Sequence, residues 1–317
     1  MRVTVFGAGA VGSFLAWRFC RSGHSVLLIG RADDVAQIAA GGLRVDGVGE
    51  PSAQLRAVTE LPTAPPPEFL FLAVKSPAVE AAGASIGGKL AEGVPIVALQ
   101  NGLGIEALLS AGLRSGGWRS PEHWIVRGTN SYGVTYERPG QIRLAGEGEI
   151  LLPSGSPPIP TELIDRVAEL LGSAGLNVRR AGGFPRELWR KALVNAAINP
   201  VTADHGGENG ALAQDPLRGQ AERLLREAQV AARLEGFEFS DEEADRELWK
   251  VVRATAANRS SMLQDLDRGR VTEIEAISGA ILAVAARHGI RLAATERALE
   301  RIHRREPVGG NPPARAG

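Results

Sequence analysis

Cysteine is almost absent from this sequence, and so is any excess of charge. The 317 residues include a single cysteine, Cys20, which excludes an internal disulfide framework and favours a reducing compartment, the cytoplasm. Lysine plus arginine equals aspartate plus glutamate at 36 each, so no global field would attract nucleic acid or a membrane surface. No apolar run approaches the roughly 20 residues of a membrane-spanning helix. The five histidines are scattered and no carboxylate or thiol cluster has ligand spacing, so we expect no bound metal.

Three glycines stand between a strand-like run and a helix-like run at the amino terminus. Residues 7–12 read GAGAVG, and a second strand-like run follows at residues 25–29. In this context Gly7 permits a tight turn, Gly9 lets a pyrophosphate approach the backbone, and Gly12 allows close packing of helix and strand. A glycine-rich turn without a ligand is the alternative. The residues predicted to hold a dinucleotide are Gly7, Ala8, Gly9, Ala10, Val11 and Gly12.

The residues after the second strand-like run bear on which dinucleotide binds. An NAD-preferring site usually has an acidic residue there for the ribose hydroxyls, whereas this chain has Gly30 and Arg31. A guanidinium pairs with a 2′-phosphate that a carboxylate would repel, so the sequence favours NADP over NAD. Asp33 and Asp34 follow closely, and either of them suits a helix cap or a ribose contact.

The pattern of apolar residues changes along the chain. Up to about residue 100 strand-like and helix-like runs alternate, with continuous apolar runs that are typical of buried parallel strands. The predicted strands after the glycine motif are residues 69–74, 95–99, 125–136, 141–145 and 149–152, with a loop at 61–68 and a helix at about 160–174. From Pro185 onward almost everything reads as helix, and residues 180–184 read as the linker.

These patterns predict an α/β protein with two domains. We expect a Rossmann-like NADP-binding domain at residues 1–182 and an all-helical domain at residues 183–305. Residues 306–317, which are rich in proline and glycine, are expected to form a disordered tail.

One predicted helix, residues 187–203, carries a polar stripe. Lys191, Asn195 and Asn199 are spaced at i, i+4 and i+8 among apolar residues, and Pro185 and Pro200 fit its first turn and its end. Buried amides and an ammonium need partners, which a bound ligand would supply. A solvated or internally satisfied stripe is the alternative.

Four further residues are candidates by position. Lys75 and Asn101 follow two predicted parallel strands, and ligands of open α/β sheets bind outside the carboxyl ends of strands. A solvated lysine and an ordinary turn are the alternatives. Farther along, Ser261 lies in the polar run NRSSMLQD, and Glu273 follows Thr272, which suits a helix N-cap. A surface hydroxyl and a carboxylate that only complements the helix dipole are the alternatives for these two.

Six motifs in this order resemble one known family, ketopantoate reductase (2-dehydropantoate 2-reductase). They are GAGAVG, LQNGLG, ELWRKALVNAAINPVTA, ENGAL, SSMLQD and TEIEAISG, and the similarity runs from Met1 to about Arg304. The resemblance implies an amino-terminal Rossmann domain, an all-helical carboxy-terminal domain, and NADPH-dependent reduction of a small 2-oxo acid. That substrate would be ketopantoate, reduced to pantoate on the route to pantothenate and coenzyme A.

The resemblance also implies roles for individual residues and a homodimer formed through the helical domain. Lys191 would be the catalytic acid, and Glu273 would close the site at the nicotinamide end. The residues that would hold the substrate beside Lys191 are Asn195, Asn199, Asn209 and Ser261. Contacts to the nucleotide would come from Lys75, Asn101 and the backbone near Val134.

The chain departs from the family pattern at three places. Ser76, Pro77 and Ala78 follow Lys75 where other residues are usual, the stretch at residues 113–124 looks longer, and Val134 replaces the usual alanine. Two alternatives therefore stay open: a related D-2-hydroxyacid dehydrogenase that reduces another 2-oxo acid, and a nucleotide-binding protein without catalysis. The intact Lys191, Asn101 and Glu273 speak against the second.

Overall fold

The chain divides into two compact units in a computed structural model that describes residues 1–48 and 52–307. The first unit comprises Met1–Gln100 and Ile105–Phe184, and the second comprises Asn101–Gly104 and the residues from Pro185 onward. Most of the predicted tail, residues 308–317, lies outside the described residues.

The first unit contains all thirteen strands of the described chain and five α-helices. The strands are β1 Arg2–Phe6, β2 Ser25–Ile29, β3 Leu43–Asp46, β4 Ser52–Ala53, β5 Arg56–Val58, β6 Phe69–Leu72, β7 Ile96–Ala98, β8 Ile125–Arg127, β9 Thr129–Asn130, β10 Gly133–Arg138, β11 Gln141–Gly146, β12 Ile150–Pro153 and β13 Val178–Ala181. The helices are α1 Ala10–Arg21, α2 Ala32–Gly41, α3 Val79–Lys89, α4 Ile105–Ser115 and α5 Thr161–Ser173.

Six of the strands form one parallel sheet in the order β5-β2-β1-β6-β7-β8. This order starts in the middle and winds outward in both directions, which is the arrangement of a Rossmann fold, so the predicted fold class is confirmed. Every residue of β6 and β7 is buried, as expected for parallel strands that are covered on both faces. Two smaller sheets, β10-β11-β3-β4 and β13-β12-β9, complete the unit.

The predicted strand at residues 125–136 is wrong as a single element. The chain instead forms β8, β9 and the start of β10, in three different sheets. Gly128 separates β8 from β9, and a Cβ there would lie 2.7 Å from a Leu99 methyl and 2.9 Å from the Leu151 carbonyl oxygen. The chain changes sheets at a point where only glycine fits.

The second unit is helical, as predicted from Pro185 onward. Its α-helices are α6 Phe184–His205, α7 Leu217–Leu234, α8 Asp241–Ala254, α9 Ser261–Asp267, α10 Ala280–Arg287 and α11 Ala293–His303. A 3-10 helix at Asn209–Ala213 and a single π-helical turn at Glu275–Gly279 complete it. Its core gathers the apolar faces of these helices, including Leu193 and Ala197 of α6 and Leu225 of α7.

The predicted end of α6 at Pro200 is wrong, because the helix continues to His205 with Pro200 inside it. A proline removes one helical hydrogen bond, but the residues around it are buried in the core, and that burial holds the helical path. The helix end is satisfied by Arg305, whose guanidinium donates to the carbonyls of Ala203 and Asp204.

Candidate functional site

The glycine loop between β1 and α1 has two glycines that the fold requires and one that it does not. Gly7 has φ +122°, a conformation that other residues rarely adopt. A Cβ at Gly12 would lie 1.8 Å from the Gly7 carbonyl oxygen, so helix and loop touch there. A Cβ at Gly9 would meet no described atom within 4 Å. Gly9 thus faces open space, which fits a position that a ligand approaches.

The same loop leaves the start of α1 without a side-chain cap. Gly9 is the N-cap residue, no acidic residue stands in the first turn, and the Ser13 amide donates to the Gly9 carbonyl at 2.9 Å. The earlier amides of a helix have no partner within it, and the helix dipole favours an anion at this end. Ala10 and Val11 open the helix, with Ala8 buried behind them. This backbone fits a pyrophosphate group.

Arg31 and Asp34 take different roles at the start of α2. The Arg31 side chain is 69% exposed, with its Nε 3.4 Å from the Asp34 carboxylate, whereas Asp34 is 3% exposed. Asp34 also accepts a hydrogen bond from the Tyr136 hydroxyl at 2.6 Å. The Asp34 carboxylate is therefore bonded within the interior of the first unit, whereas Arg31 is an exposed cation beside the end of β2.

The other predicted nucleotide residues of the first unit lie on two elements. Lys75 is exposed shortly after β6 and precedes a 3-10 turn at Ser76–Ala78, so the residues that depart from the family pattern form a local turn. Val134 is half-buried in β10, where it pairs with Leu144 of β11. Contacts of both residues with a nucleotide stay predictions.

Asn101 and Glu273, which are 172 residues apart in the sequence, are brought together in the second unit. The Asn101 amide Nδ2 donates to Glu273 Oε2 at 3.4 Å, and Glu273 is 6% exposed. The loop at Asn101–Gly104 is fixed there because the Leu103 amide donates to the Ala276 carbonyl at 2.9 Å. A Cβ at Gly102 would lie 2.4 Å from that same carbonyl oxygen, so the close approach requires glycine.

The sequence predicts Glu273 in the first turn of a helix capped by Thr272, and this is wrong, because Glu273 lies just before the helix. The helical turn begins at Ile274 and passes at once into the π-helical turn, with the Ile277 amide donating to the Glu273 carbonyl. Thr272 lies one residue earlier, and its hydroxyl accepts from the Ile274 amide at 3.1 Å. π-helical turns occur frequently at functional sites.

The polar stripe lies on α6, and its three residues differ in how far they are buried. Lys191 and Asn195 are half-buried and Asn199 is buried. Asn209 starts the following 3-10 helix, and its Nδ2 donates to the Thr255 hydroxyl at 2.9 Å. Its Oδ1 is buried with no hydrogen-bond partner among the described residues, so it is an acceptor available to a ligand donor.

Ser261 is the first residue of α9 and is exposed. Its neighbour Ser260 is buried, caps α9 through the Leu263 amide, and lies 2.8 Å from the Thr202 hydroxyl of α6. The predicted substrate residues all lie in the second unit, and so do Asn101 and Glu273. A contact between Lys191 and Glu273 stays a prediction.

Three residues that bear on this site, Glu306, Arg127 and Gln100, were not predicted from the sequence. Glu306, the first residue of the predicted tail, accepts from both the amide and the hydroxyl of Thr272 at 2.7 Å. Arg127 and Gln100 bond to backbone carbonyls at strand ends. For Arg127 and Gln100, the one local signal in the sequence was an arginine directly after the two apolar residues of β8.

Within residues 1–48 and 52–307, no helix is both long and apolar enough to cross a bilayer. The same residues contain no group of three or more His, Cys, Asp or Glu side chains placed to hold a metal ion.

The parallel sheet and its glycine loop define a dinucleotide-binding protein with a separate helical unit. The family model for ketopantoate reductase PanE/ApbA matches residues 3–157, and the model for its C terminal part matches residues 184–306. The chain belongs to the ketopantoate reductase family.

Several relatives and solved structures cover nearly all of the chain. A 2-dehydropantoate 2-reductase of Archaeoglobus fulgidus is 34% identical over 294 residues, which cover 91% of this chain and 92% of that protein. One from Halobacterium salinarum is 30% identical and covers 92% and 94%. A PanE/ApbA family ketopantoate reductase of Ralstonia eutropha JMP134 superposes with a TM-score of 0.85 at 26% identity, covering 96% and 98%. D-mandelate dehydrogenase with NADH and anilino(oxo)acetate gives 0.88 at 25% identity, again covering 96% and 98%.

Proposed function

We propose that this protein reduces 2-dehydropantoate (ketopantoate) to pantoate with NADPH, a step in the biosynthesis of pantothenate and coenzyme A. The observation that carries the proposal is the hydrogen bond between Asn101 and Glu273. Both residues lie in the second unit, which also holds Lys191 and the asparagines of the stripe. Relatives at 30% to 34% identity with this activity support the substrate.

The cofactor would be held by the glycine loop and by Arg31. The first-turn amides of α1 would bind the pyrophosphate, and the exposed guanidinium of Arg31 would pair with a 2′-phosphate. Lys75, Asn101 and the backbone near Val134 would add further nucleotide contacts. The bound reduced nicotinamide supplies the hydride that reaches the C2 carbonyl of the substrate.

Lys191 would act on the substrate oxygen. Reduction of the C2 carbonyl leaves an alkoxide, which a nearby ammonium stabilises and then protonates. Asn195, Asn199 and Ser261 would bind the carboxylate and hydroxyl of the substrate without adding charge. The unpartnered Oδ1 of Asn209 would accept a hydrogen bond from the terminal hydroxyl. Glu273 would close the site beside Asn101.

A second candidate is a D-2-hydroxyacid dehydrogenase that uses a different 2-oxo acid. The superposition on D-mandelate dehydrogenase with NADH favours it, since that protein shares this fold at a TM-score of 0.88. The two candidates differ in the cofactor and in whether the substrate carries a terminal hydroxyl. We also propose a cytoplasmic homodimer formed through the helical unit, which light scattering after size-exclusion chromatography would measure.

One assay separates the candidates. The purified protein is mixed with NADPH or NADH and a panel of 2-oxo acids that includes ketopantoate, pyruvate, a branched 2-oxo acid and phenylglyoxylate, and the nicotinamide absorbance is followed. We expect the highest kcat/KM for ketopantoate with NADPH. A higher value for phenylglyoxylate or for a branched acid without the hydroxyl would favour the dehydrogenase, and no turnover with any acid would overturn both.

A further inference from the structure

We infer that Arg127 is a positioning residue for the nucleotide end of the active site, acting through the carboxyl ends of three neighbouring strands. The inference rests on the proposed function, because Lys75 and Asn101, which follow two of those strands, are proposed nucleotide contacts. Arg127 itself is the last residue of β8 and is 3% exposed.

The guanidinium of Arg127 bonds to carbonyls of two strand ends at once. Nη1 donates to the Ala98 carbonyl at 3.1 Å and to the Gly128 carbonyl at 2.5 Å, and Nη2 donates to the Gln100 carbonyl at 2.8 Å. Ala98 is the last residue of β7, and Gln100 directly precedes Asn101. The fork of Arg127 therefore fixes the peptide from which the Asn101 loop departs.

Gln100 carries this connection to the third strand. Its side chain is buried, and Nε2 donates to the Leu72 carbonyl at 2.7 Å and to the Val74 carbonyl at 3.2 Å. Leu72 ends β6, and Val74 directly precedes Lys75. Arg127 and Gln100 thus hold the carbonyls just before both proposed nucleotide residues.

The burial of the Arg127 charge points to a positioning role and not to simple stabilisation. A buried charge costs free energy unless it is paired, and here the pairing is with three carbonyls and with Glu106 of α4, whose Oε2 lies 3.5 Å from Arg127 Nε. An apolar residue at this position of β8 would cost less free energy to bury, and the buried Ile125 and Val126 of the same strand are both apolar. A guanidinium presents several donors in one rigid fork and so holds several acceptors at once, whereas an ammonium is a point charge on a flexible stem.

The test compares Arg127→Met and Arg127→Lys with the control Trp118→Phe. Trp118 is buried in the same unit, and its indole donates to the Leu90 carbonyl at 2.9 Å, so the control also leaves one buried carbonyl unpaired but touches none of the three strand ends. Thermal unfolding, NADPH affinity by fluorescence, the two KM values and amide hydrogen exchange are measured for each.

We expect both Arg127→Met and the control to lower Tm, while only Arg127→Met weakens NADPH binding. Its kcat/KM for NADPH should fall by about 10- to 100-fold through misplaced contacts, with the KM for ketopantoate changed much less. Amide exchange should accelerate at residues 73–75 and 99–103 in this variant alone. Arg127→Lys, which keeps one or two of the bonds, should fall between Arg127→Met and the unmodified protein.

Equal NADPH affinity and equal exchange in Arg127→Met and Trp118→Phe would overturn the inference and leave Arg127 a stabilising residue. If Arg127→Met does not fold, Arg127→Lys decides: unaltered NADPH affinity would overturn the inference, and weakened affinity at near-normal Tm would support it. If the unmodified protein reduces no ketopantoate, the proposed function fails, but NADPH affinity and exchange still decide the role of Arg127.

Discussion

The two units provide polar groups in opposite ways. The glycine loop of the first unit offers backbone amides and almost no side chains, and its shape depends on Gly7 and Gly12, where a Cβ would collide with backbone. The second unit offers side chains: an ammonium and amides on α6, and the Asn101 amide and Glu273 carboxylate on the segments beside its helices. Substitutions at the glycine loop of the first unit should therefore act by steric hindrance, and substitutions in the second unit by removing charged or hydrogen-bonding groups.

The largest effect should come from the second unit. Lys191→Ala removes the proposed proton donor, and we expect kcat to fall by about 10²- to 10⁴-fold, the usual contribution of a positioned acid. NADPH affinity should barely change, because the proposed pyrophosphate and 2′-phosphate contacts lie in the first unit. Pre-steady-state turnover and NADPH titration measure the two quantities. Near-normal kcat in a folded Lys191→Ala variant would end the catalytic role.

The next effect tests the first unit with a matched pair of glycines. Gly9→Ala places a methyl in open space, so Tm should hold while NADPH binding weakens by about 10-fold or more, since the methyl occupies the approach of the pyrophosphate. Gly12→Ala places its Cβ 1.8 Å from the Gly7 carbonyl oxygen and should lower Tm as well. Unfolding curves and NADPH titrations separate the two. If Gly9→Ala binds NADPH normally, the loop does not hold the phosphates as proposed.

How far the sequence predicted these sites depends on how local their signals are. The glycine motif and the stripe on α6 were predictable because each lies within one turn or one helix. β3, β4 and β5 were not predicted, because two to four residues carry too little periodicity. The course of α6 through Pro200 was mispredicted because tertiary burial outweighed the local preference.

The pairing of Asn101 with Glu273 lay beyond sequence reasoning for a different reason. The two residues are 172 positions apart, and no local pattern encodes which loop meets which helix. Glu306 was assigned to a tail because proline and glycine follow it, although its carboxylate bonds to Thr272. Contacts of this kind depend on the packed unit as a whole.

A third prediction tests the role of one side chain of the second unit, that of Asn209. Asn209→Ala removes the unpartnered Oδ1 and would leave a buried substrate group unpaired, which costs about 1 to 3 kcal/mol. We expect a rise in the KM for ketopantoate of about 5- to 150-fold with NADPH affinity unchanged. Thr255→Val is the control, because it removes the acceptor of Nδ2 and the Thr255 bond to the Val251 carbonyl but leaves Oδ1 in place. A rise as large in the control as in Asn209→Ala would assign the effect to Thr255 and not to Oδ1.

A smaller effect should come from Arg31, the one side chain of the first unit that we assign to cofactor choice. Arg31→Ala should weaken NADPH by about 10-fold and leave NADH nearly unchanged, because only NADPH carries the 2′-phosphate. Arg44→Ala removes another exposed arginine of the same unit and should alter neither affinity. Equal affinity of the unmodified protein for both cofactors would contradict the assignment.

The smallest effect is a pH dependence that belongs to the second unit alone. The ring of His303 lies between two carboxylates, with Nε2 2.9 Å from Glu275 and Nδ1 2.9 Å from Glu306. Burial lowers the pKa of His303, but these carboxylates outweigh it, so the folded-state pKa is raised above the ordinary value of 6.5. The protonated ring then stabilises the fold fully below 6.5, and the contribution is lost as the pH rises through the folded-state pKa.

His303→Gln should therefore lower Tm at about pH 6 and have less effect at about pH 9. His288→Gln, the loss of an exposed histidine at the end of α10, is the control and should show no such trend. Because Glu306 also holds Thr272, which directly precedes Glu273, the His303 variant should loosen that segment, seen as faster amide exchange at residues 272–277 at low pH. A Tm difference that stays constant from pH 6 to pH 9 would show that the ring stabilises the fold by packing and not by charge. At His303 the second unit would then depend on packing, as the glycine loop of the first unit does.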